Sequence, residues 1–481
     1  MPSFISTLSL LFILNILLAI VIIFLERKNP TSTLAWLMVL VLLPNIGFIL
    51  YLIFGQNLSK QKMFKLKTEE DQLLRKMVLE QISYLKNNEI YFNDPSIQQY
   101  QDMIHMHLMS SDAIFSQDNE VEIFTDGKEK FDALIESIEE AQDHIHMLYY
   151  IFKNDSLGKR IVDALTKKAK EGVEVRLLYD AVGGHNLPRN FFKELKDVGG
   201  QVVSFFPFKI PLINFRINFR NHRKLAIIDG TYGFIGGFNI GNEYLGLDKK
   251  FGYWRDTHLK LNGSAVQMIQ IRFMLDWQYA SKETMAYDSR YFPEITMNGK
   301  TGIQIVSSGP DSEQEQIKNG YLKIIHSAKE SIYIQTPYFI PDESILSALR
   351  IAALSGIDVR LMIPSKPDHM FVYWATYSYI GELLKSGVRT FVYDKGFIHA
   401  KTIVVDGKLA SVGTANIDVR SFKLNFEVNA FIYDTFTSNK LKSIFEKDMI
   451  DCSELTSDLY NQRSRIIKFK ESIFRLLSPI L

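Results

Sequence analysis

The stretch HRKLAIIDG, residues 222–230, recurs as HAKTIVVDG, residues 399–407. Both read H-x-K-x-x-x-x-D-G. The likeness continues downstream: GGFN ends at Asn239 and GTAN at Asn416, each ten residues past the motif Asp. A carboxylate follows in each half, Asp256 in YWRDTHLKL and Glu427 in NFEVNAFIY. One unit is therefore written twice, and a unit repeated on this scale is a structural module that packs against its copy.

The duplication extends upstream. IEEAQDHIHMLYYIF (138–152) matches IHSAKESIYIQTPYF (325–339), and IVDALTKKAKEGVEVRLLYD (161–180) matches ILSALRIAALSGIDVRLMIP (345–364). Each pair reads as an amphipathic helix, a glycine stop and a β-branched run. Per half the order is helix, strand, helix, strand, linker, motif strand, strand. Alternating strands and helices imply an α/β fold with a mainly parallel sheet. Two such halves are expected to pack face to face about a pseudo-twofold axis, which brings one histidine from each to a single site.

Length and composition set bounds. The 481 residues allow more than one domain. A net charge of +1 gives no global field for nucleic acid, so no nucleic-acid partner is expected. The single cysteine, Cys452, excludes an intramolecular disulfide and fits a reducing compartment.

The N-terminus differs in kind. Residues 4–25 and 34–55 are two uncharged apolar runs. Each is long enough for a bilayer core of about 30 Å. Two spans are the expectation; a hydrophobic hairpin in one leaflet is the other reading. The first run lacks the basic start and short core of a signal peptide. Lys60, Lys62, Lys65 and Lys67 follow the second run, and basic flanks favour the cytoplasm. The expected division is an anchor over 1–58, a helical linker region over 59–118, a first half over 119–295 and a second over 296–481.

In a strand, residues i and i+2 share a face, so His222 and Lys224 point together, as do His399 and Lys401. Asp229 and Asp406 have the opposite parity and precede a glycine, which reads as a mainly structural place. The convergent set is then two His, two Lys, two Asn and two carboxylates. Lys224, Lys401, Asn239 and Asn416 can donate to phosphodiester oxygens. One neutral histidine can attack phosphorus. The other can protonate the leaving alkoxide and later deprotonate the incoming alcohol. Asp256 and Glu427 are the natural groups to orient the imidazoles. The cations supply the charge a metal would bring, so the scheme calls for no metal and no cofactor. HMH (105–107) and HIH (144–146) read as packing or surface groups rather than ligands.

These residues resemble the phospholipase D superfamily, whose signature is a doubled H-x-K-x₄-D motif, over roughly residues 120–460. Within it the chain looks like a bacterial cardiolipin synthase. The supporting strings are ERKNPTSTLAWLMVLVLLPNIGFILYLIFG, YYIF, NHRKLAIIDG, GFIGGFNIGNEYL, WRDTHLKL, GFIHAKTIVVDG and SVGTANIDVRSFKLNFEVN. The resemblance implies a plasma-membrane enzyme that joins two phosphatidylglycerol molecules into cardiolipin and glycerol, without nucleotide or metal. It implies a catalytic set of His222, Lys224, Asp229, His399, Lys401 and Asp406. Phosphate binding falls to the two lysines with Asn239 and Asn416, and support of the histidines to Asp256 and Glu427. It favours His222 as nucleophile and His399 as acid and base. Another phosphatidyltransferase, or a hydrolytic phospholipase D, would use the same residues.

Three further stretches suit a lipid reaction. FFPFKIPLINFRINFRNHRK (205–224) mixes aromatic and basic residues. It reads either as a loop meeting anionic membrane lipids or as packing between the halves. HMFVYWATYSYIGELLKSG (369–387) places Tyr373, Trp374 and Tyr377 on a helix, in the core or along a lipid path. In RSRIIKFKESIFRLLSPIL (463–481), Ile466, Phe469, Ile473, Leu476 and Leu477 share one face of a basic helix, with docking on the body the expected outcome.

Overall fold

The computed structural model describes residues 2–25, 30–44, 46–54, 69–207, 219–294, 299–312, 314–366, 368–476 and 478. The duplicated order is present in three dimensions. In the first half, helix Gly127–Glu140, strand His144–Tyr149, helix Ser156–Lys170 and strand Glu174–Asp180 follow one another. In the second they correspond to Gln316–Ser327, Ser331–Gln335, Glu343–Leu354 and Asp358–Pro364. Aspartates set several helix starts: Asp155 accepts from the Gly158 amide at 3.0 Å and Asp342 from that of Ile345 at 3.1 Å.

The sheet is mixed rather than mainly parallel. His144–Tyr149, Glu174–Asp180 and Gln201–Phe205 run parallel, as do Ser331–Gln335, Asp358–Pro364 and Arg389–Tyr393. Only these strands are joined through crossover helices. The motif strands, Leu225–Ile228 and Thr402–Val405, pair antiparallel with Tyr232–Gly236 and Leu409–Gly413. The cause is the motif's own D-G. Asp229 and Gly230 have φ of 52° and 64°, and Asp406 and Gly407 have 54° and 62°. Two successive left-handed residues make the tight hairpin turn that reverses the chain.

Each half packs helices on the outer face of its sheet. Leu134, Ile138, Ile161 and Leu165 meet Met147 and Leu177 in the first half; Ile324, Leu346 and Leu349 meet Ile332 and Leu361 in the second. The inner faces meet each other. Leu225, Ile227, Ile235 and Leu259 from one sheet share a buried cluster with Val404, Ala410, Val412 and Val428 from the other. Strand Phe115–Asp126 joins the sheets by pairing antiparallel with both Tyr253–Asn262 and Thr301–Ser308.

The segment expected to act as a linker is part of the body. Helices Glu69–Lys86 and Gln101–Ser111 send Val78, Ile82, Met103, Ile104 and Leu108 into the core of the second half. The expected boundary at 118/119 falls inside the joining strand, and that at 295/296 lies outside the described residues.

Nearer the start, the chain forms helices Pro2–Leu25, Pro30–Leu42 and Ile46–Phe54. Ile22, Trp36, Leu40 and Tyr51 pack into a small cluster of their own. The second apolar run is two helices because Pro44 interrupts it. Side chains of the first helix are described over 13–24, and among the described residues no helix is long and apolar enough to cross a membrane. Lys60, Lys62, Lys65 and Lys67 lie outside the described residues.

Of the aromatic and basic stretch before the first motif, residues 208–218 lie outside the described residues. Phe205, Phe206 and Phe219 are buried with Tyr279, Leu424 and Phe426. These flanks therefore pack between the halves.

Candidate active site

Two short inter-half strand pairs build the site. Arg220–Asn221 pairs parallel with Asn425–Phe426, and Tyr253–Arg255 pairs parallel with Gly396–Ile398. Each pairing ends on a histidine. The His222 amide donates to the Phe426 carbonyl at 2.9 Å, and the His399 amide to the Arg255 carbonyl at 2.7 Å. The residue after each acceptor is the late carboxylate of the repeat. Its side chain turns to the histidine of the opposite half. His222 Nδ1 lies 3.2 Å from Glu427 Oε1, and His399 Nδ1 lies 2.6 Å from Asp256 Oδ2. The sequence supplied both carboxylates; their exchange between halves is a product of the strand pairing.

Asp256 and Glu427 are fully buried. Burial pushes both carboxyls up, but the adjoining cations outweigh it, Lys401 and His399 for Asp256 and His222 and Lys224 for Glu427, so both end below the ordinary carboxylate range. Gly237 is dictated by the same crowding, since a Cβ there would sit 1.9 Å from Asp256 Oδ1.

The imidazoles face different walls. The Tyr150 ring lies 4.1 Å from that of His222, while Trp254 lies 5.2 Å from His399. Asn425 Nδ2 is 3.2 Å from His222 Nδ1. Burial lowers the pKa of His222, and Lys224 and Arg420 add to the shift against the pull of Glu427. Burial, then Lys401, pushes His399 down to about 4.

Lys224 and Lys401 are buried, and each ammonium donates to the main-chain carbonyl of its own motif histidine. Lys401 Nζ also lies 2.8 Å from His399 Nδ1. Burial pushes Lys224 down to about 8 and Lys401 to about 7, and Lys224 itself acts on Lys401 and His399. Asn239 and Asn416 are buried as well. Asn239 Oδ1 accepts the Ile151 amide at 3.0 Å, whereas Asn416 Oδ1 has no hydrogen-bond partner among the described residues.

Asp229 and Asp406 stand apart from this group and engage main-chain amides. Asp229 accepts the amides of Gln142, Asp143 and His144 at 2.8, 2.9 and 2.9 Å. Asp406 accepts those of Lys329, Glu330 and Ser331 at 2.8, 2.8 and 2.8 Å. Each carboxylate clips the start of a strand to the hairpin. Asp229→Ala is therefore expected to cost stability, about 1 kcal/mol, since of the three donors left unmet only the His144 amide belongs to a buried residue. Activity per folded molecule should fall far less than in a histidine variant. Thermal unfolding and specific activity of the purified protein check this together.

Sequence reasoning missed two arginines. Arg223 binds Asp276 through one nitrogen at 2.6 and 2.7 Å, and its Nε donates to the Glu427 carbonyl at 3.2 Å. Arg255 Nε binds Asp448 at 3.0 and 2.9 Å, and another of its nitrogens donates to the Asp256 carbonyl. Each thus holds the backbone of an orienting carboxylate. Their positions, inside H-R-K and before Asp256, were the available signal; the partners are remote in sequence. Of the two histidine pairs, His107, His144 and His146 are core groups and His105 is half-buried: His146 meets Gln270 at 3.1 Å and Glu174 at 3.2 Å, and His107 meets Tyr433 at 3.1 Å. Among the described residues no cluster of three or more metal-ligating side chains occurs.

Comparison with known proteins places this arrangement. The family described as "Cardiolipin synthase, PLD-like domain" matches residues 134–253 and 321–449, and the family "Phospholipase_D-nuclease N-terminal" matches 13–56. The major cardiolipin synthase of Bacillus subtilis (strain 168) is 57% identical over 475 residues, covering 98% of each chain. A cardiolipin synthase of Listeria monocytogenes serotype 4b is 56% identical over 473 residues, with the same coverage. Among solved structures, the phosphatidylserine synthase of Haemophilus influenzae Rd KW20 shares the fold, with a TM-score of 0.60 and 16% identity over 79% of this chain and 100% of that one. With two matched phospholipase D-like halves and near-full-length identity of this order, the chain belongs to the bacterial cardiolipin synthases of the phospholipase D superfamily.

Proposed function

We propose that this chain transfers a phosphatidyl group from one phosphatidylglycerol to a second, giving cardiolipin and glycerol, through a phosphatidyl-histidine on His222. The observation that carries the reading is the pair of imidazoles, each held at Nδ1 by a buried carboxylate of the opposite half. With Nδ1 so engaged, Nε2 is the reacting nitrogen of each ring.

The neutral His222 Nε2 attacks phosphorus, and the bond from phosphorus to the glycerol oxygen breaks. His399, as imidazolium, gives that oxygen its proton and glycerol leaves. The neutral His399 then takes the proton of a terminal glycerol hydroxyl on the second lipid. That oxygen attacks phosphorus, the P–N bond breaks, and both histidines return to their first states. Lys224, Lys401, Asn239 and Asn416 hold the phosphoryl oxygens and stabilise charge gathered there. The substrate's negative charge raises the pKa of His399 from its low value in the empty site, which lets the ring carry the first proton.

The segment 1–58 serves in this reading as a two-span anchor, with the body on the cytoplasmic side; the apolar runs and the basic residues that follow support it.

The pH dependence follows from the lysines. A phosphodiester is bound by their protonated forms, and the free protein loses these as pH rises through about 7 for Lys401 and about 8 for Lys224. In mixed micelles the affinity for phosphatidylglycerol should fall from that range upward, and activity with it. The acid limb, set by protonation of His222, should lie below the ordinary imidazole value of about 6.5. An alkaline limb placed at the ordinary lysine value of about 10.4 would contradict the burial described.

The deciding assay gives purified full-length protein phosphatidylglycerol alone, with a chelator present. Cardiolipin and glycerol in equal amounts are expected. Phosphatidic acid without cardiolipin would make water the acceptor and overturn the transferase reading.

A further inference from the structure

The helix Arg465–Leu476 docks on helix Met370–Lys385, but not with its apolar stripe. Phe474 meets Phe371 at 5.0 Å between ring centroids, and Arg475 pairs with Glu382 while lying 4.6 Å over Tyr379. Lys470 lies 5.5 Å over Trp374. Glu471, the helix's one acid, is buried on this inner face and held by Arg463 at 2.8 and 2.9 Å. The expected docking thus occurs, through polar and aromatic contacts.

The stripe picked out from sequence faces away. Ile466, Phe469, Ile473 and Leu476 are 69%, 66%, 42% and 68% exposed. They recur at steps of three and four, so they form one continuous ridge. Met370 and Phe371, on the helix it docks against, are 50% and 59% exposed as well. Beside the ridge the same helix carries Arg465, Lys468 and Lys470, and it shows no exposed carboxylate, while Arg475 is taken up by Glu382 on the docked side. A large apolar ridge left in water on a well-packed domain marks an interaction surface.

We infer that this ridge seats on the surface of an anionic lipid bilayer, as a membrane contact separate from the N-terminal apolar helices. Charge complementarity selects the occupant. A cationic rim with its single acid withdrawn suits anionic headgroups, while aliphatic and phenyl side chains enter the acyl boundary. The inference rests on the lipid-substrate reading above only in supposing that the body works at a membrane. The helix is fixed to the body, so the contact sets the body's orientation on the bilayer.

The test uses the full chain with Cys452→Ser as background and an environment-sensitive fluorophore at Phe469→Cys or Ile473→Cys. Tyr91→Cys, at a position 82% exposed, is the control. The proteins are reconstituted into vesicles of phosphatidylglycerol and phosphatidylcholine that carry shallow nitroxide lipids. Labels at 469 and 473 should emit further to the blue than the control and be quenched at least about twofold more. The double variant Phe469→Ser/Ile473→Ser should turn over phosphatidylglycerol about fivefold or more slowly in vesicles, and equally fast in mixed micelles. Water-like emission at both sites overturns the inference. So does blue-shifted emission that nitroxide lipids leave unquenched, which would mean that protein covers the ridge. Equal quenching in pure phosphatidylcholine removes the anionic requirement and overturns it as stated. A wild type inactive in micelles would defeat the proposed function while leaving the label readout intact.

Discussion

His222→Ala is expected to abolish cardiolipin formation, and His399→Ala to lower it by at least about 10³-fold, the scale that follows when one member of a nucleophile and acid–base pair is removed. The two losses differ in kind. In the proposed mechanism His222 forms the bond to phosphorus, whereas His399 moves a proton to a poor leaving group. A phosphatidyl ester of p-nitrophenol separates them, because nitrophenolate leaves without a proton. His399→Ala should give a rapid burst of nitrophenolate equal to the enzyme present, followed by a stall. The phosphatidyl group then stays on the protein as a phosphoramidate at His222. His222→Ala should give neither burst nor labelled protein. The opposite pattern would make His399 the nucleophile and reverse every step assigned above.

Glu427→Gln and Asp256→Asn are each expected to lower kcat by about 10²–10⁴-fold, since an amide in place of the carboxylate no longer fixes the tautomer or supports the imidazolium. The exchange between halves makes the pattern specific. Glu427 serves His222, so Glu427→Gln should lose the nitrophenolate burst, as His222→Ala does. Asp256 serves His399, so Asp256→Asn should keep the burst and lose the second step. KM should rise as well near neutral pH, because each carboxylate's charge helps keep Lys224 and Lys401 protonated. If each carboxylate instead matched the histidine of its own half, the crossed wiring would be wrong.

Much of this molecule was legible in the sequence because it is written twice. Helix and strand order could be checked against the other copy, and the matched runs at 138–152 and 325–339 land on equivalent elements. The sheet's direction was misread because helix–strand alternation governs only part of each half; the left-handed Asp229 and Asp406 turns govern the rest. The polar residues of the site could be picked out one half at a time. What joins them could not. Whether Glu427 faces His222 or His399 depends on Asn425 meeting Arg220 across the molecule, a register that no pattern within either half encodes. Arg223 and Arg255 stayed hidden for a related reason, since a charged residue inside a motif is silent until Asp276 and Asp448 arrive from elsewhere. The terminal helix shows the converse: Ile466, Phe469, Ile473 and Leu476 were correctly grouped, with Leu477 outside the described residues, but docking used the other face.

The traded carboxylates have a consequence for how such an enzyme came to be. A chain holding one half alone would carry a histidine without its acid and an acid without its histidine. It would gain a working centre only on meeting its twin, and its output would fall with the square of its concentration. Joining both in one polypeptide makes that encounter intramolecular. Activity per molecule is then independent of dilution, and a scarce enzyme loses nothing by being scarce.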